Sequence, residues 1–474
     1  MIFRETRKTK IIWSFEARVL ADTWVSRISE EDVDALRLVF NQETAGNIPK
    51  FIDAFRQSRK ADEKAPSIIV DVAEGARGAI TNLKTEKEIP FGTKVRIGTT
   101  GSGEMFEVTA KRLEVLFKKD ATVFLGYGNV VLKTLSVSST VVELEAIQGG
   151  MVYPDTDVHV PSTRQPPSLK DYDAAALAEI FKRNVDFVVM PGIRSLEALR
   201  EFKGYFEKIG GKFKPWTILR VDCEEVYQNL DLLLPEVDGV LISRREMALS
   251  FDPATIPMLT KEIIQRCNDQ AKVVFTASEM LGSMRRNVTP TRAEVSDIAN
   301  AVADGTDAVV LSEEVTQGKY ADKALHLTRR IIADAEKRTD ETPNWIKLAP
   351  SISTEFDAIA YTAYRTAKRV KAKAIVCITK AGNTALKLAS FGLPVPVIAV
   401  TFDKEVLGKL ALVKGVNGIA LEIDPTIDDV LQTVNDRLLR DSWLKAGDRI
   451  IFVSITLSSV GREASNLFTV QTLN

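Results

Sequence analysis

Short apolar runs rich in β-branched residues alternate with longer amphipathic segments over most of the chain. Such runs are Ser67-Ile68-Ile69-Val70-Asp71, Asp186-Phe187-Val188-Val189-Met190, Gly239-Val240-Leu241-Ile242-Ser243, Lys272-Val273-Val274-Phe275-Thr276 and Asp307-Ala308-Val309-Val310-Leu311. Between them, residues 173–184, 195–208, 257–269 and 292–304 have the spacing of helices with one apolar face. This βα beat predicts a parallel sheet with crossover helices, closed as a barrel or open as a doubly wound sheet. In a barrel the polar residues that end each strand face the functional side. Those residues are Asp71, the turn 191–194, Arg220-Val221-Asp222, the segment 243–246, Ser278-Glu279 and Ser312-Glu313-Glu314.

The beat breaks between about residues 75 and 161. Short alternating strands with glycine turns replace it, as in Thr93-Lys94-Val95-Arg96-Ile97-Gly98 and Val141-Val142-Glu143-Leu144-Glu145, and predict an inserted all-β domain. After Arg338 a polar stretch, Thr339-Asp340-Glu341-Thr342-Pro343-Asn344, reads as a linker. A second βα series follows, with strands at Ala374-Ile375-Val376-Cys377-Ile378, Pro396-Val397-Ile398-Ala399-Val400 and Arg449-Ile450-Ile451-Phe452-Val453. The expected division is 1–75 for the first part of a barrel domain, 76–160 for a β-rich lid, 161–343 for the rest of the barrel and 344–474 for a C-terminal α/β domain. A chain of 474 residues is long enough for three domains at ~100–200 residues each.

Composition narrows the chemistry. The 63 basic and 64 acidic side chains leave a net charge of −1, which speaks against a nucleic acid as partner. Cys223, Cys267 and Cys377 lie far apart with no CxxC pair, so neither a disulfide framework nor a thiolate zinc site is expected. With only His159 and His326, zinc chemistry of the HExxH type is excluded; His159 reads as structural and His326 as a packing or surface residue. No run of apolar residues is long enough to span a membrane, and the expected setting is cytoplasmic. Catalysis, if present, must rest on carboxylates, Lys/Arg and hydroxyls. The glycine-rich segment 98–104, GTTGSGE, lacks the terminal Lys-Ser/Thr of a phosphate loop and is expected to be a hairpin loop in the lid.

Three segments carry a family resemblance. Residues 290–307, PTRAEVSDIANAVADGTD, closely resemble the pyruvate kinase family. Residues 277–284, ASEMLGSM, are similar to its A-T-Q-M-L-E-S-M, and residues 7–12, RKTKII, to its R-K-T-K-I-I start. The resemblance runs through essentially the whole chain and is weakest in the inserted domain. It implies a (β/α)8 TIM barrel with an inserted all-β lid domain and a C-terminal α/β domain. The family's chemistry moves a phosphoryl group from phosphoenolpyruvate to ADP, and it calls for a divalent metal, a monovalent cation and positive charge at the phosphoryl group.

Position by position, the resemblance implies an altered site. Arg37 matches a family arginine that can hold phosphate, while Val39 and Asn41 stand where the family has oxygen ligands for potassium. Asp71 survives from that cation site but Val72 follows it, and Arg77 lies where its charge could substitute. Arg220 replaces the catalytic lysine, and a planar fork is not equivalent to a compact ammonium. Asp222 and Glu246 replace the Glu/Asp pair that binds magnesium, each altered by one methylene. Arg245 stands in place of a glycine whose turn approaches the substrate carboxylate. Ser278 keeps the hydroxyl of a substrate-side threonine, Glu279 replaces a neutral glutamine, and Arg194 persists beside a lost serine-phenylalanine pair. In the lid, Gly126-Tyr127-Gly128-Asn129 replaces an acidic turn; in the C-terminal domain, Thr379 and Thr384 keep the hydroxyls of an effector-phosphate loop in which Asn383 has displaced an arginine.

Three functions are compatible with these residues. The leading one is a catalytically degenerate pyruvate kinase-like protein with a structural or regulatory role, assembled with itself, with an active paralogue or in a larger assembly. The second is an active, divergent pyruvate kinase using magnesium and ADP/ATP without the family's potassium. The third is a non-catalytic binder of a phosphorylated or dicarboxylate ligand.

Overall fold

The computed structural model describes residues 7–15, 24–25, 28, 33–40, 44–58, 66–72, 78–80, 82–108, 113–154, 156–160, 174–190, 192–209, 215–278, 280–341, 355–393, 395–421, 427–455 and 466–474. Eight strands, Lys10–Phe15, Ala35–Phe40, Ser67–Val72, Phe187–Met190, Trp216–Val221, Gly239–Ser243, Val273–Ala277 and Ala308–Leu311, close into a parallel barrel, the last pairing with the first. The beat therefore closes rather than opening into a doubly wound sheet. Its helices lie close to where the apolar spacing puts them, for example Ile256–Asp269, which starts with Pro257 in its first turn. Helix Arg292–Asp304 opens with a reciprocal capping box between Thr291 and Glu294 and ends at Gly305, whose φ of 104° is open to glycine at little cost.

Residues of opposite parity on each strand serve opposite faces. Residues such as Ile11, Leu36, Leu38, Ile68, Val70, Leu219 and Val221 face the helices and join the large shell core. Ile12, Ala35, Ile69, Phe187, Val189, Ile218, Leu241, Phe275 and Val310 face inward, and they share a core with the C-terminal domain. The barrel floor is therefore dry and continuous with its neighbour. Continuing the inward parity upward places Ser14, Arg37, Asp71 and Arg220 at the C-terminal mouth.

The insertion forms a seven-stranded sheet and a two-stranded ribbon around its own core. Segment 98–104 corrects the hairpin expectation: the strands it joins, Lys94–Thr99 and Phe106–Val108, run parallel. The amides of Gly101 and Gly103 donate to the Glu107 carboxylate at 3.0 and 2.7 Å, and these bonds hold that carboxyl below the usual glutamate range. The loop's anion is thus supplied by the chain.

The C-terminal domain is a five-stranded sheet, parallel except for the edge strand Asn466–Thr472, which pairs antiparallel with Arg449–Ile455 and breaks the βα beat. It docks on the barrel floor through polar anchors. Lys10 Nζ donates to the Val416 carbonyl at 3.1 Å and Ser67 Oγ to that of Gly408 at 2.6 Å; Asp307 accepts the amides of Val274 and Lys414, each at 2.8 Å. The connecting residues 73–77, 161–173 and 342–354, where the domain boundaries were expected, lie outside the described residues, as does Arg77.

Two floor carboxyls, Asp186 and Asp307, are pushed up to about 6 chiefly by burial. The native state then holds protons between pH ~4 and ~6 that the unfolded chain releases, so this contribution is complete below pH ~4 and lost as pH rises through 6. Urea unfolding at pH 4.5 and 7 should show a stability difference that shrinks by roughly 1–3 kcal/mol in Asp307→Asn. A second substitution, Gly408→Ala, would drive its Cβ into the Asp186 carboxylate and should cost ~1–3 kcal/mol in the same measurement.

Candidate active site

Asp71 ends the inward row of the third strand and is fully buried. Arg37 Nε donates to its Oδ2 at 2.6 Å and Arg37 Nη2 pairs with the same oxygen. Arg220, from the fifth strand and 3% exposed, donates through Nη2 to Oδ1. One carboxylate thus carries two guanidiniums, one on each oxygen. Ser14, paired in register with Arg37, accepts Arg37 Nη1 at 2.8 Å through Oγ. Val39 lies opposite Asp71 in register, as the sequence comparison placed it, and offers no side-chain oxygen. Guanidiniums stay charged and donate without accepting, so neither arginine can serve as a general base. They also provide the positive charge beside Asp71 that a monovalent cation would provide.

Asp222 follows the fifth strand and is 1% exposed. Next to it Cys223 caps the short helix Glu224–Gln228; burial, and then the Asp222 charge, push its thiol up to about 12, while Arg194 acts in the opposite sense. Arg194, which follows the fourth strand, is thus brought near this pair. Its own carbonyl accepts Asn229 Nδ2 at 2.9 Å. Glu246 lies in the turn of helix Arg244–Met247 after the sixth strand, and its Oε2 accepts Ser243 Oγ at 2.5 Å.

Magnesium needs near-octahedral oxygen ligands and is held by one or two carboxylates plus substrate oxygens. Asp222 and Glu246 are the side chains that would hold it. Glu246 is engaged by Ser243, and among the described residues no group of three or more His, Cys, Asp or Glu side chains is placed to hold a metal ion. Two carboxylates completed by substrate oxygens form a smaller set than that.

Ser278 has a φ of 76°, a conformation that L residues rarely adopt. Arg244 holds it there: Nη2 donates to the Ser278 carbonyl at 2.5 Å, Nε to that of Ala277 at 3.2 Å, and Nη1 pairs with Asp297 at 2.6 Å. Sequence reasoning included Arg244 in the polar segment 243–246 but gave it no task. Its signal was its place at the end of a barrel strand. Glu279, the next residue, lies outside the described residues. Arg245 points elsewhere, with Nη1 3.6 Å from Glu313 Oε1 and its guanidinium 5.0 Å from the Tyr127 ring of the lid. Burial raises the pKa of neighbouring Glu314, while the charge of Arg245 opposes the rise.

The remaining candidates are remote. Thr379 and Thr384 are buried, 4% and 5% exposed, at the start of helix Asn383–Ser390. Gly382, with φ 97°, donates to Thr379 Oγ1 at 2.9 Å, and a Cβ there would meet Trp216 of the barrel floor at 3.2 Å. The loop is built into the contact between domains.

Comparisons with known proteins bear on this arrangement. Residues 6–325 match the family description "Pyruvate kinase, barrel domain" and residues 357–470 match "Pyruvate kinase, alpha/beta domain". The chain belongs to the pyruvate kinase family. Pyruvate kinases of Clostridium perfringens and Mycobacterium tuberculosis are 28% and 27% identical to it, covering 94% and 95% of this chain and 95% of each relative. That of Sporosarcina psychrophila is 27% identical over 94% of this chain and 78% of its own length. In fold, a crystal structure of a pyruvate kinase from Cryptosporidium parvum superposes with a TM-score of 0.80 at 22% identity, covering 99% of this chain and 96% of that one. The family's architecture is therefore shared from end to end.

Removing the charge of Asp71 would leave two guanidiniums buried without their counter-ion. Asp71→Asn should lose about 3–5 kcal/mol in urea unfolding at pH 7. A loss under ~1 kcal/mol would mean that the two arginines find solvent instead.

Proposed function

We propose that this family member does not transfer phosphoryl groups and works as a structural or regulatory subunit, with itself, with an active pyruvate kinase or in a larger cytoplasmic assembly. The observation that carries the reading is the double pairing of Asp71. In the family resemblance Arg37 and Arg220 stand at the phosphate-holding and catalytic-lysine positions, and here both donate to one buried carboxylate. To grip a transferring phosphoryl group they would have to weaken those pairs, and a transition-state contact acts only if it is aimed where charge develops. The loss of one such contact commonly costs ~10²–10³ in rate. The engagement of Glu246 by Ser243 and the large side chain of Arg245 in the turn support the same reading. On it, potassium has no task, and any magnesium or ADP would be bound without turnover.

A second reading, an active divergent pyruvate kinase, draws on the retained charge of Asp222 and Glu246 and the hydroxyl of Ser278. Binding of another phosphorylated or dicarboxylate ligand without transfer is the third; it draws on the guanidiniums of Arg37 and Arg220 at the mouth.

A lactate dehydrogenase-coupled assay with phosphoenolpyruvate, ADP and magnesium or manganese, with and without potassium, separates the first two. Turnover at least 10²-fold below the ~1–100 s⁻¹ of kinases is expected. A rate above ~1 s⁻¹ would establish the second reading. Phosphoenolpyruvate or oxalate raising the melting temperature of an inactive protein would favour the third.

A further inference from the structure

Two guanidinium-on-ring contacts tie the lid to the barrel mouth. Arg245, after the sixth strand, lies 5.0 Å from the centre of the Tyr127 ring, and Arg286, after the turn Gly282–Arg285, lies 5.4 Å from that of Tyr153. Tyr127 sits in the tight lid turn between strands Thr122–Leu125 and Val130–Val137, flanked by Gly126 and Gly128 at φ 66° and 96°. Tyr153 follows the lid strand Gly150–Val152.

Arg245 and Tyr127 are both braced from behind. On the barrel side Glu313 pairs with Arg245 at 3.6 Å and also with Arg285, so the guanidinium is oriented by the barrel before it meets the lid. On the lid side the His159 ring packs against Tyr127 with centroids 4.8 Å apart and the planes tilted by 41°. A cation over an aromatic face is attracted by the ring quadrupole, and planar arginine stacks well. The chain's own side chains thus occupy the seam that a lid must open to admit a ligand.

We propose that Arg245–Tyr127 and Arg286–Tyr153 form a latch that holds the lid over the barrel mouth without any ligand. The proposal deepens the non-catalytic reading, since a mouth held shut by its own residues does not need substrate to close it. Two such contacts at a partly exposed seam bias an open–closed equilibrium by roughly fivefold to thirtyfold.

Hydrogen exchange read by mass spectrometry on the full chain, with no ligand added, tests it, because amide exchange follows the open population when opening is fast. The double variant Tyr127→Leu/Tyr153→Leu should accelerate exchange about fivefold to thirtyfold in residues 126–129, 241–247 and 273–278. Tyr127→Phe/Tyr153→Phe keeps both rings and should exchange as the unaltered chain does. Strand Ala374–Ile378 of the C-terminal domain reports whether a variant is folded; if it accelerates in the leucine pair, Arg245→Met/Arg286→Met, approached from the barrel side, decides by the same criterion. Unaltered exchange at the mouth in the folded leucine pair, or a phenylalanine pair as fast as the leucine pair, would overturn the latch. Turnover in the coupled assay would overturn the functional reading and leave the exchange result standing.

Discussion

A carboxylate with no contact with solvent must be paired, and Asp71 is paired twice, with Arg37 on one oxygen and Arg220 on the other. Three strands of the barrel contribute to this cluster, which spans the mouth where the family resemblance expects phosphate and a monovalent cation. The pairing imposes a direction on everything above it. The two cations cannot both hold Asp71 and reach freely for a ligand.

The neighbouring side chains are similarly engaged. Ser14 and Ser243 satisfy Arg37 and Glu246, Arg244 fixes the left-handed backbone of Ser278, and Glu313 collects Arg245 and Arg285. An active site for phosphoryl transfer leaves donors aimed at a place where the substrate will develop charge. Here the guanidiniums of Arg37, Arg220, Arg244 and Arg245 each have a partner within the protein.

Much of the fold was legible because period and parity are local properties. Short apolar runs and amphipathic segments marked the barrel, and the spacing over 292–304 marked a helix that the structure reproduces from Arg292 to Asp304. Less was legible where pairing joins segments whose order the pattern does not encode. The parallel pairing of Lys94–Thr99 with Phe106–Val108 and the antiparallel edge strand Asn466–Thr472 are examples. Of the site candidates, Arg37, Asp71 and Arg220 converge, with Asp222 and Arg194 placed near one another. Thr379 and Thr384 are buried in the C-terminal domain, where Thr379 accepts the Gly382 amide, and Arg77 lies outside the described residues.

Taken alone, the amino-acid order determined the βα beat, the β-rich interruption, the family resemblance and the charge type at the end of each barrel strand. Those follow from side-chain chemistry and from spacings of a few residues along one segment. Which charge meets which was decided only when the barrel closed. Arg37, Asp71 and Arg220 are separated by 34 and 149 residues in the chain, yet the inward parity of three strands brings them to one point. Likewise Tyr127 meets Arg245 only because the insertion folds back over the mouth, where the guanidinium reaches a ring on the lid. Contacts of this kind depend on distances in space, and spacing along a chain does not contain them.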